Sequence, residues 1–297
     1  MRRRQLLAGL GLSSALAPHA GHAAPPLRAV ATFSILADMV RQVGGASVSV
    51  TGLVPPDGDA HVYQPKPADL RAIMQARLLV ENGLGLEGWM QRLGAAGSFA
   101  GVRVTAAQAV TPRTMNEDGK VATDPHAWQD PRNGVLYVRA IADGLIQADP
   151  TQADAYRAAA ARYSTAIEAT DAWIAKQFED IPPADRRVIT THDAFGYYGA
   201  RYGIELLSAE GLSTEVEPSA HAIAALVAQI RREHIHAVFL ENMTDPRLAR
   251  MLAQETGATL GGTVYSDALS PPNGPAATYL AMLHHNTTLF AQAMRRS

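Results

Sequence analysis

TQADAYRAAAARYSTAIEATDAWIAKQFE, residues 151–179, is the stretch on which the fold turns. It holds neither glycine nor proline and is rich in alanine. Tyr156, Ala159, Tyr163, Ile167, Ile174 and Phe178 recur in it at helical spacing. Asp149-Pro150 precedes it and Pro182-Pro183 stops it. A helix of this length runs roughly 43 Å. Set between two α/β halves it reads as a rigid strut, which restricts any hinge to small rocking.

Outward from the strut, apolar strand-like runs alternate with amphipathic stretches, the pattern of parallel sheets with crossover helices. Before it, strands are predicted at Leu27–Thr32, Val48–Leu53, Leu78–Glu81 and Val102–Thr105, with helices at Ile35–Val43 and Ala68–Gln75. After it, strands are predicted at Val188–Thr191, Ile204–Leu207, Val238–Leu240 and Thr259–Tyr265. Helices fall at Ala194–Tyr202, Ser219–Glu233, Pro246–Glu255 and Tyr279–Met294. The predicted organisation is a signal peptide at 1–23, an N-terminal α/β lobe at 24–150, a linking helix at 151–181 and a C-terminal α/β lobe at 182–297.

The first residues give an address. Arg2, Arg3 and Arg4 precede the apolar run Leu6–Ala17, and small residues follow up to Ala23. That order is a secretory signal cut after Ala23. Arg3-Arg4-Gln5-Leu6-Leu7 also resembles a twin-arginine signal, with an ordinary Sec signal as the alternative. The mature chain then carries 23 basic and 28 acidic residues and offers no basic stripe for nucleic acid. The chain has no cysteine, which excludes disulfides, thiolate ligands, a cysteine nucleophile and a lipobox tether. The expectation is a monomer free in the periplasm, any metal being held by His, Asp or Glu.

Most of the ten histidines are set aside. His19 and His22 lie in the signal. His221, His234, His236, His284 and His285 lie in or beside amphipathic helices without a suitable partner one turn away. Three others sit in loops after strands: His61 in the turn-rich Pro55–Pro65, His126 in Asp124–Pro131, and His192 directly after Val188–Thr191. Asp267 follows Thr259–Tyr265 in the same manner. In open α/β sheets, ligands bind beyond the carboxyl ends of strands. Taken singly, each of these histidines is more often structural than a ligand. Together, two candidates come from each lobe, and three imidazoles with one carboxylate match the four N/O ligands that zinc prefers.

Four motifs carry a resemblance: Asp59-Ala60-His61-Val62-Tyr63-Gln64-Pro65-Lys66-Pro67-Ala68-Asp69, Asp124-Pro125-His126-Ala127-Trp128-Gln129-Asp130-Pro131, Thr191-His192-Asp193-Ala194-Phe195-Gly196-Tyr197-Tyr198 and Tyr265-Ser266-Asp267. In this order they resemble the solute receptors of zinc and manganese ABC importers, the class with a single-helix backbone, and the likeness covers essentially the whole mature chain. The resemblance implies two pseudo-symmetric α/β lobes and one metal ion in the interlobe cleft, with His61, His126, His192 and Asp267 as ligands. It departs at Ala60, where the first motif usually has proline. It departs again at Thr111–Thr123, short and free of histidine where many zinc receptors carry a long His- and acid-rich loop.

The expected cargo is one divalent ion, zinc in preference to manganese, because a third imidazole softens the site and affinity rises from manganese towards zinc. The expected partners are a cognate ABC permease in the inner membrane and a periplasmic metallochaperone. Docking on the permease is expected to draw His192 and Asp267 away. Asp130, Asp193 and Glu241 are candidates for orienting the imidazoles, each reading equally well as a loop acid or helix cap. Trp128, Tyr197 and Tyr198 are expected to pack around the site. Two rival classes remain open: a periplasmic zinc hydrolase with an open coordination position, and a metal buffer or adhesin that needs no permease.

Overall fold

Leu27–Ala31 (β1) is buried at every residue except Arg28, as a strand covered on both faces must be. It lies between Val48–Gly52 (β2) and Leu78–Glu81 (β3), with Val102–Thr105 (β4) at the edge beyond β3, and every pairing is parallel. Parallel neighbours require crossovers. Ser34–Gly44 (α1) supplies the first, burying Ile35, Leu36, Met39, Val40 and Val43. Pro67–Gln75 (α2) supplies the second. The computed structural model describes residues 25–93, 99–117, 120–208, 211, 214, 218–233 and 235–295; the signal peptide expected at 1–23, with His19 and His22, and His234 lie outside them.

A short antiparallel hairpin, Thr114–Glu117 (β5) and Lys120–Thr123 (β6), fills the stretch expected only to be a short loop. Pro131–Ala148 (α3) follows, capped by Asp130, whose carboxylate accepts the Arg132 amide at 2.8 Å. The strut is Ala153–Gln177 (α4), 25 residues and about 38 Å long. It is shorter than the sequence predicts because Asp149 first holds Pro150–Gln152 in a 3-10 turn. Tyr156, Tyr163, Ile167, Thr170 and Ile174 form its buried stripe.

The second lobe repeats the first. Arg187–Thr190 (β7), Gly196–Tyr202 (α5), Glu205–Ser208 (β8), Ala220–Glu233 (α6), Ala237–Glu241 (β9), Pro246–Thr256 (α7) and Thr259–Val264 (β10) alternate along the chain, and Tyr279–Met294 (α8) ends it. The sheet order is β10-β9-β7-β8, all parallel. In both sheets the lobe's first strand lies between its second and third, with its fourth beyond the third. That shared order is the pseudo-symmetry expected of two α/β lobes.

The lobes share one core. Buried residues run without a break from Leu36 and Trp128 through Tyr163 and Ile167 of the strut to Phe195, Phe239 and Phe290. Helix α8 belongs to the second lobe in sequence, yet it begins on the first: the Tyr279 amide donates to Asp38 of α1 at 2.9 Å, and its hydroxyl donates to the Trp128 carbonyl at 2.6 Å. A second, smaller core of Ile189, Leu226, Ile230, Ile235, Val238, Ala249 and Leu252 lies behind the second sheet, under α6 and α7. Among the described residues, no helix is long and apolar enough to cross a membrane.

Candidate metal centre

Four loops converge where the lobes meet. His192 and Asp267 follow directly on the carboxyl ends of β7 and β10. His61 stands further out on the loop after β2, and His126 lies between β6 and α3, so it does not follow a strand of the main sheet. All four sequence-predicted residues come together: one donor atom from each lies within 4.8 Å of the others.

The separations are those of ligands around one ion. His61 Nε2 is 3.2 Å from His126 Nε2 and 3.0 Å from Asp267 Oδ2. His192 Nε2 is 3.3 Å from Asp267 Oδ2, and His126 Nε2 is 3.6 Å from Oδ1. A tetrahedron with metal–ligand bonds of 2.0–2.1 Å has edges of about 3.3–3.4 Å. His61 is 6% exposed and the other three 0%. Both Asp267 oxygens and His192 Nε2 are buried there without an aligned hydrogen-bond partner. Unpaired polar atoms in a dry pocket are costly unless a cation satisfies them.

Carboxylates stand behind all three histidines. The Asp59 carboxylate accepts the His61 amide at 2.8 Å, and Asp124 accepts the His126 amide at 3.0 Å, two Asx turns from the same Asp-x-His spacing. Asp124 also lies 2.9 Å from His126 Nδ1, which leaves Nε2 to face the centre. Glu241, at the end of β9, accepts the amides of Thr191 and His192 at 2.8 and 2.9 Å and the Thr191 hydroxyl at 2.6 Å. Its other oxygen lies 2.6 Å from His192 Nδ1.

Charge and burial oppose each other in this cluster. Burial draws the His126 imidazole down, but Asp267 and Asp124 outweigh it and raise the group to about 9. Burial likewise works against a charged His192, and Glu241 and Asp267 hold it well above the ordinary histidine range. Burial favours a neutral Asp267, yet His126 and His192 keep it well below the usual carboxylate range. The cluster thus favours protonated imidazole at His126 and His192 beside an ionised Asp267 carboxylate.

The sequence reading misses Asp59 and Asp124; the Asp-x-His repeat was the available signal. Of its own candidates, Glu241 stands behind His192, whereas Asp130 is occupied as the cap of α3. Asp193 donates its backbone amide to the Gly211 carbonyl, and its carboxyl is raised by burial, then by Asp124. Trp128 packs edge-on to His126, and the Tyr197 hydroxyl donates to the Asp124 carbonyl at 3.2 Å. Tyr198 does not reach the site. It packs against Phe195 and Phe290, and its hydroxyl pairs with that of Thr287 at 2.7 Å. Among the histidines set aside, His284 lies against Trp173 and His285 bonds the Thr263 carbonyl.

Known proteins share this architecture. The manganese-binding lipoprotein MntA of Halalkalibacterium halodurans is 32% identical over 268 residues, 90% of this chain and 88% of that protein. The iron-binding protein YfeA of Yersinia pestis is 29% identical over 91% of this chain and 86% of its own length. Among solved structures, the periplasmic zinc-binding protein TroA of Treponema pallidum superposes with a TM-score of 0.86 at 26% identity, over 91% of this chain and 99% of that one. The manganese-bound periplasmic metal-binding protein of Candidatus Liberibacter asiaticus gives 0.81 at 29%, over 90% and 99%. Since residues 29–293 also match the model of the periplasmic zinc-uptake complex component A, the chain belongs to that family, ZnuA.

Proposed function

We propose that this chain is a periplasmic receptor that captures one divalent transition-metal ion through His61, His126, His192 and Asp267 and delivers it to an ABC permease in the inner membrane. The observation that carries the reading is the buried meeting of three imidazole Nε2 atoms and a carboxylate whose oxygens lack any other partner. Relatives named for manganese and iron binding, and a neighbour named for zinc, support a metal cargo without choosing one. The chain acts as a monomer, since one copy supplies the whole site. It divides into lobes at 24–150 and 182–297 around the helix at 151–181.

Zinc is the preferred ion. Three neutral imidazoles make a borderline-soft set, and the divalent order places zinc above manganese for the same ligands. Manganese would need the second Asp267 oxygen to enlarge its coordination. Calorimetric titration of metal-free protein with each ion tests the choice: zinc binding one to one and more tightly than manganese is expected, and the reverse order rejects it.

A hydrolase fits less well. Four ligands close a tetrahedral site and leave no position for an activated water. Asp124 and Glu241 are engaged on the far nitrogens of His126 and His192, and Asp59 accepts the His61 amide and the Thr214 hydroxyl. Removing Asp267 and assaying ester and peptide hydrolysis separates the classes: an enzyme would gain or keep activity, and a receptor shows none.

A further inference from the structure

The loop after β3 carries no ligand, yet it leaves the same edge of the first sheet as the loop that brings His61. Gly83, Leu84 and Gly85 in it all hold positive φ, at 84°, 55° and 89°. A leucine adopts that region only where its surroundings impose it. The imposing group is Glu87. Its Oε1 accepts the Asn82 amide at 2.6 Å and the Thr32 hydroxyl at 2.7 Å, and its Oε2 accepts the Gly83 amide at 3.2 Å. These bonds fold 82–87 into a tight turn that leads into the 3-10 turn Gly88–Leu93.

The folded segment reaches both histidine loops of the first lobe. Trp89 Nε1 donates to the Ala60 carbonyl at 2.8 Å, and Asn82 Nδ2 donates to the Pro125 carbonyl at 2.9 Å. Ala60 and Pro125 stand immediately before His61 and His126, so each accepted carbonyl belongs to the peptide unit that enters a histidine. The N–H of those same peptide units goes to Asp59 and to Asp124. A peptide unit is planar, so holding its C=O and its N–H from opposite edges fixes the direction in which the next Cα sets off. Asn82 is held in turn. Its Oδ1 accepts the Tyr137 hydroxyl at 2.6 Å, which leaves its amide hydrogens for the Pro125 and Gly83 carbonyls. Trp89 packs edge-on to Tyr63, and both donors are buried.

We infer, resting on the metal-receptor reading, that Asn82–Trp89 is a bracket that sets the spacing of His61 and His126, with Asn82 and Trp89 as positioning residues and Glu87 as the group that shapes it. The two imidazoles stand on separate loops, with their Nε2 atoms 3.2 Å apart. Ordering both loops at the moment of binding would be subtracted from affinity. A bracket made by one segment orders them at folding, so the ion meets these two ligands already at their spacing.

The test uses the full mature chain. If the native protein binds no zinc, the receptor reading fails and the bracket falls with it; the outcomes that follow reject the bracket alone. Trp89→Phe keeps a ring against Tyr63 and removes the donor to Ala60, and Asn82→Leu removes the donor to Pro125 at similar volume. Each should lower zinc affinity by about tenfold or more. Each should also shift or weaken the visible bands of the cobalt-substituted protein, which report the geometry at the ion. Tyr198→Phe removes a buried hydroxyl away from the site and controls for general loosening: affinity and bands should stay native. Native affinity in Trp89→Phe overturns the proposal. So does lost affinity with native bands, because the ligands have then not moved, and so does an equal loss in Tyr198→Phe. Should Asn82→Leu fail to fold by circular dichroism, Trp89→Phe decides together with a measurement on the native chain, the exchange rate of the Trp89 indole N–H. The NMR signal missing from Trp89→Phe identifies it. A bracket built at folding predicts equally slow exchange with and without zinc. A rise of about tenfold or more on zinc removal would show that the ion orders the segment, and the proposal falls.

Discussion

Asp124 and Glu241 each stand behind an imidazole and fix which nitrogen faces the ion, so their loss should weaken binding without removing a ligand. Asp124→Asn and Glu241→Gln are each expected to lower zinc affinity by about 10–100-fold, read by competition with a chromophoric chelator. Unchanged affinity would show that packing alone orients the rings. The same carboxylates set the pH response. A metal ion needs neutral imidazole, and His126 in the metal-free protein keeps its proton up to about 9. Zinc affinity should therefore rise with pH through neutrality and level off only near that value, not near the ordinary histidine range. Zinc uptake at pH 7 should release protons, visible as a dependence of the binding enthalpy on the buffer's ionisation enthalpy. At Gly196 a Cβ would sit 2.8 Å from Asp124 Oδ2. Gly196→Ala should thus push Asp124 off His126 and lower affinity, although the residue touches no ligand. The four residues that meet at the site were legible in the sequence, His192 and Asp267 from strand ends and His61 and His126 from turn-rich loops. The residues behind them were less so, since a loop aspartate reads the same whether it caps a helix, as Asp130 does, or orients a histidine, as Asp124 does.

At the scale of elements, the strut carries the argument. Ile167 is fully buried on α4, in the core that both lobes share. Ile167→Ala should cost about 2–5 kcal/mol, measured by urea unfolding. Because one core spans both lobes, the loss should appear in a single transition rather than in one lobe's. The strut was readable because periodicity persists over many residues without a breaker. The helix after Asp130-Pro131 was readable only at its start. Gly134 and Gly144 resemble interruptions, yet α3 needs them: a Cβ at Gly134 would lie 2.7 Å from the Tyr279 hydroxyl, and one at Gly144 would lie 2.2 Å from Val104. The β5–β6 hairpin was missed because its strands are short and polar.

Across the whole molecule, two sheets of the same strand order bring four loops to one point, and α8 is tied to α1 of the first lobe through the Tyr279 amide and Asp38. The sequence foretold the alternation of strand and helix, and with it the parallel sheets. It was silent on how the last segment attaches, because the clamp on Ser266 and Leu269 is made by Trp128, Gln129 and Ser34, distant in the chain. A receptor of this design should be stabilised by its cargo: at about 100 times the dissociation constant, zinc should add about 2.7 kcal/mol to the unfolding free energy. The most direct test is zinc titration of metal-free protein beside a variant in which His61, His126, His192 and Asp267 are all alanine. The native chain should take up one zinc ion per molecule and the variant none while keeping its fold by circular dichroism. Equal zinc uptake by the variant, or no saturable uptake by the native chain, would contradict the account.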